Sequence, residues 1–92
     1  MKIFKTVDEK LEELGFLKVS ENKYGAEYVK ENKDYGYTQK LDIKCKKDGN
    51  HLILSYEKGV NGDGFNNAIG LTITEAKLAY KKFKQLAWKY NW

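Results

Sequence analysis

The stretch YTQKLDIKCKK, Tyr37 to Lys47, constrains the fold more than any other part of the chain. Leu41, Ile43 and Cys45 alternate with Lys40, Asp42, Lys44 and Lys46, the period of two expected of a strand with one dry and one wet face. KDGN follows, a turn of the Asp-Gly kind, and then HLILSYE, a second β-rich run. Together they predict an antiparallel hairpin.

Two further strands precede it. FLKVSE and YGAEYVKE are separated by the polar ENK and closed by NKDYG, so four strands are expected in one meander. Its buried face is expected to gather Leu17, Val19, Ala26, Tyr28, Leu41, Ile43, Leu52, Leu54 and Tyr56. The opposite face carries lysines, acids, Ser55 and His51 and should meet water, as antiparallel sheets allow.

Helices bracket the strands. In TVDE, Thr6 caps and Glu9 completes a capping box three residues later; TITE repeats the spacing with Thr72 and Glu75. Val7, Leu11 and Leu14 form a short apolar stripe, and Gly15 ends the first helix as a left-handed cap. In the last helix Ala76, Ala79, Tyr80, Phe83, Leu86, Ala87 and Tyr90 recur at a helical period and should cover the sheet. The expected fold is α+β: a two-layer α-β-β-β-β-α arrangement, a four-stranded antiparallel meander with both helices on one face.

Ninety-two residues leave room for a single domain, residues 1–92. The start, MKIFKTVDEKLEEL, turns acidic without an apolar core, so no secretory signal is read there, and no apolar run is long enough for a membrane span. One cysteine, Cys45, cannot form an internal disulfide and fits a reducing compartment, so a cytoplasmic location is expected. The formal charge is +4, and all seventeen basic side chains are lysine. Lysine holds phosphate as a point charge but lacks the guanidinium fork that reads base edges, so sequence-specific nucleic-acid recognition is disfavoured.

The most irregular stretch is KGVNGDGFNNAIG, Lys58 to Gly70. It resembles EF-hand and dockerin calcium loops through Asn61, Asp63 and Gly64, but glycines, Gly59 and Gly70, stand where carboxylates belong at both ends. Neither calcium nor any other metal or cofactor is expected. A recognition loop is the stronger reading, with Phe65, Asn66 and Asn67 presented to a partner; the bland alternative has Phe65 anchoring the loop.

On the last helix Lys77, Lys81, Lys84 and Trp88 follow at i, i+4, i+7 and i+11 and share the face opposite the core. A tryptophan beside a lysine ladder suits either a phosphate backbone with stacked bases or an acidic protein groove. A solvated face is the ordinary alternative. The element order is similar to a double-stranded-RNA-binding domain, whose last helix opens with paired lysines. Here TITEAKLA puts Ile73 and Thr74 at that pair, and the extra strand and long loop depart further. Catalysis finds little support. His51 and Cys45 are expected on opposite sheet faces, with no phosphate-cradling or metal-ligating spacing elsewhere, so a non-enzyme is expected.

LEELGF, YTQKLDI, SYEK, GFNNAIGLT and the closing lysine–tryptophan helix together resemble the small proteins encoded by phages and prophages of low-GC Gram-positive bacteria. The resemblance implies an accessory protein made in the host cytoplasm that binds one host or phage macromolecule, as anti-CRISPR inhibitors of defence nucleases do. Its positive charge argues against DNA mimicry. The expected contact residues are Phe65, Asn66, Asn67, Lys77, Lys81, Lys84 and Trp88. A host or phage protein is the leading partner, and nucleic acid gripped by lysine–phosphate contacts is the alternative.

Overall fold

The computed structural model describes residues 4–58 and 67–92. Phe65, Asn66 and the calcium-loop comparison fall outside the described residues. Helices α1 (Val7–Glu13) and α2 (Ile73–Tyr90) pack on one face of an antiparallel sheet. Its strands are β1 (Leu17–Asn22), β2 (Gly25–Asn32), β3 (Tyr37–Lys44), β4 (Leu52–Lys58) and β5 (Asn67–Ala68), neighbours in chain order. The α+β meander is as expected. It is extended by the short β5, where Asn67 and Ala68 pair with Glu57 and Tyr56. No helix among the described residues is long and apolar enough to cross a membrane.

Local chemistry sets the helix ends. Thr6 Oγ1 accepts the Glu9 amide at 3.1 Å while Glu9 accepts the Thr6 amide, and Thr72 with Glu75 repeats the pair. After α1 the Gly15 amide donates to Glu12 and the Phe16 amide to Leu11, a Schellman closure made possible by Gly15 at φ +96°. Leu11 and Phe16 are both buried, so the closure also turns the chain into the core.

That core comprises Val7, Leu11, Phe16, Ala26, Tyr28, Leu41, Ile43, Cys45, Leu78, Ala79 and Leu86. Two strands present faces other than those expected. In β4 the register sets Ile53 opposite Ile43 and Ser55 opposite Leu41, so Ile53 and Ser55 turn toward the helices. Leu52, Leu54 and Tyr56 turn outward instead. LIL is apolar at both parities, and the span from Cys45 to His51 between the paired residues decides which one faces in.

In β1 a bulge lets Lys18 and Ser20 face consecutive residues of β2, with Val19 left between them. Lys18 and Glu21 thereby point inward, while Leu17 and Val19 stand 58% and 55% exposed. Helix α2 is also rotated from the expected face. Leu78 and Lys82 are buried, whereas Tyr80 is 54% exposed. After Tyr90 the chain turns left-handed at Asn91, and the Trp92 indole donates to the Lys23 carbonyl. Trp92 therefore clamps the β1–β2 turn and does not join the lysine stripe.

Candidate interaction face on the two helices

The rotation of α2 divides its lysines into two groups. Lys82, 6% exposed, reaches inward to Asp8 at 3.2 Å and Glu21 at 2.5 Å. Lys18 reaches the same two acids at 3.0 and 3.3 Å, and the Tyr28 hydroxyl donates to Asp8 at 2.5 Å. One cluster thus ties α1, α2, β1 and β2 together. Nearby Lys30 bonds Glu75 at 3.1 Å, so the acid of the second capping box also anchors α2 to the sheet.

Burial opposes ionisation of Asp8, but hydrogen bonds from Tyr28, Lys18 and Lys82 outweigh it and hold the carboxyl below its usual range. Glu21 is held low in the same way, against its own burial, by Lys82 and Lys18. Both folded-state values lie below those of the unfolded chain, so this stability is complete above the unfolded carboxylate range, about 4. It is lost as pH falls through the depressed folded values. Melting temperature is expected to drop as pH falls below about 4, and Asp8→Asn should flatten that drop. Parallel acid profiles of the two proteins would refute this assignment.

Lys77, Lys81, Lys84 and Trp88 all point away from the sheet, and Trp88 is 89% exposed. The structure adds partners that helical periodicity in α2 could not supply. Lys5, Lys10 and Leu14, from α1 and its flanks, face Lys77, Leu78, Tyr80, Lys81 and Lys84 across a groove of about 530 Å³. Lys81 and Lys84 also line the adjoining hollow, about 460 Å³, that contains Val7 and Trp88. The Lys84 ammonium sits 4.9 Å from the Tyr80 ring centre. Among the described residues Lys10, Lys77, Lys81 and Lys84 form no ion pair, while Lys5 is paired with Glu13. Asn67, exposed in β5, lines neither hollow.

His51 and Cys45 do not face opposite ways as expected. The thiol lies in the core and the imidazole lies tilted against Phe83 of α2, ring centres 4.9 Å apart. Burial pushes the thiol pKa up, away from a nucleophilic thiolate, and His51 Nδ1 accepts the Lys46 amide at 2.9 Å. Among the described residues no three imidazole, thiol or carboxylate groups are placed to hold a metal ion. The outer sheet face carries another hollow, about 500 Å³, walled by Ser20, Leu52 and Leu54. Its Glu27 and Asp42 are both paired with Lys40, at 3.0 and 3.7 Å. The chain matches no protein family, no curated protein and no solved structure.

Proposed function

We propose that the chain is a non-enzymatic interaction protein, made in the bacterial cytoplasm by a phage or other mobile element, that binds a host or phage protein through the outward face of its helices. Inhibition of a host defence system, in the manner of anti-CRISPR proteins, belongs to this reading. One observation carries it: Trp88 stands uncovered beside lysines that have no carboxylate partner among the described residues. Exposed lysines are ordinary, but a bare tryptophan beside two groove-lining lysines has the composition of an interface anchor. The lysine row also supports a second reading, a nucleic-acid binder of low sequence specificity.

Salt separates the two. Fluorescence polarisation with labelled duplex DNA, single-stranded DNA and duplex RNA should show weak binding at physiological salt if the partner is a protein. Nucleic-acid binding would instead fall by about 0.9 power of salt per phosphate contact. In either case Trp88→Ala and Lys81→Glu should each weaken the cognate complex roughly tenfold or more. If both variants bind every partner of the wild type with unchanged affinity, the helix face is not the contact surface.

A further inference from the structure

We infer that the occupant of the α1–α2 groove is an acidic amphipathic helix; this rests on the reading of the helix face as the contact surface. Three features select it. The lining is in part apolar: Leu14, Leu78 and Tyr80 bound the groove together with its lysines, Glu13 and Thr74. Phosphodiester backbone has nothing to place on those apolar side chains, whereas a helix carrying apolar and acidic rows has both surfaces. The volume, about 530 Å³, leaves room along the groove for side chains of a docked segment.

The second feature is spacing. Lys77, Lys81 and Lys84 are set four and three residues apart, so they advance by about 6 and about 4.5 Å along α2. Carboxylates repeating every three or four residues on a helix laid alongside match that ladder one for one. The third feature is the limit of the positive field. On α1 Glu13 lines the groove but is paired with Lys5, and beyond it Glu9, Glu12 and Glu13 surround a hollow of about 280 Å³ with Lys5. A long polyanion running on past the groove would meet all three carboxylates; a helix of a few turns within it meets only Glu13, which Lys5 already pairs. Charge complementarity therefore points to a short acidic protein segment and away from a nucleic-acid strand.

The test is selection from a displayed library of helical peptides on the immobilised full chain, followed by polarisation binding of the enriched peptides. Enriched peptides are expected to combine an apolar row with Asp or Glu at three- and four-residue spacing. They should bind Lys81→Glu/Lys84→Glu at least tenfold more weakly, and Lys81→Gln/Lys84→Gln by an intermediate amount. Circular dichroism checks that both variants fold. Enriched peptides without acids that still need Trp88 and Tyr80 would overturn the acidic helix and leave the helix face standing. Peptides indifferent to all these substitutions would overturn both, as would no enrichment over an unrelated protein. Tighter binding of duplex DNA than of any peptide at physiological salt, lost on charge reversal, would replace the acidic helix with nucleic acid.

Discussion

Lys82→Ala is expected to lower the unfolding free energy by about 3 kcal/mol in urea titration, the low end of the cost of breaking a buried ion pair. Lys82 is almost fully enclosed, and its removal takes from Glu21, whose side chain is only 16% exposed, its nearest cation. Lys18 still reaches both acids, which is why the loss stays at the low end. Lys82→Met retains the aliphatic stem and should recover part of it. Combining Lys82→Met with Glu21→Gln removes both charges and should recover more, because the penalty comes from a half-buried carboxylate left with only the exposed Lys18 and Lys89 more than from a lost attraction. A loss below 1 kcal/mol for Lys82→Ala would mean that the cluster is solvated and contributes little.

Gly25→Ala should cost roughly 3–5 kcal/mol, where backbone strain and steric conflict combine. Gly25 opens β2 at φ +140°, and a Cβ there would sit 1.8 Å from the Ile43 carbonyl oxygen. Relief requires β2 and β3 to separate at a point where Gly25 is paired with Lys44. Gly15 is the control. Its φ is also positive, but its Cβ would meet only the flexible Lys30 side chain at 3.0 Å. Gly15→Ala should therefore cost about 1–2 kcal/mol, the strain of a left-handed L-residue. Equal losses at the two glycines, read from denaturation midpoints at constant slope, would refute the steric argument.

What was legible in the sequence was local. The two capping boxes, the Gly15 closure and the alternating strand each depend on residues within a few positions of one another, and each occurs as read. Face assignment failed where it depends on a count. The bulge at Val19 shifts the phase of β1, and the span between Ile43 and Ile53 sets the parity of β4; neither leaves an unambiguous mark in a run apolar at both parities. Lys82 read as one more surface lysine because the acids that bury it lie far away in the chain, at Asp8 and Glu21. The spacing of Glu75, Leu78, Lys82 and Leu86 held a usable signal, a helical stripe, but two charged members obscured it.

The candidate site divides along the same line. Lys77, Lys81, Lys84 and Trp88 follow from the helical period alone. Lys5, Lys10 and Leu14 enter only when α1 packs beside α2, and Tyr80 emerges only once α2 is rotated so that Leu78 faces the core. The contribution expected of Asn67 does not extend to the groove, because β5 holds it against β4.

The Asp8–Lys82 pair has a kinetic corollary. Apolar helix contacts can slide by a fraction of a turn at little cost, but an ion pair inside a hydrogen-bonded cluster defines one axial position. The distance from Lys10 across to Lys77 and Lys81 is accordingly fixed by the scaffold, and on the proposed function docking would need no rearrangement of it. Capture by such a face is governed by electrostatic encounter, and ionic strength acts chiefly on how fast complexes form. The lifetime of the complex then falls to the apolar side chains of the groove and Trp88.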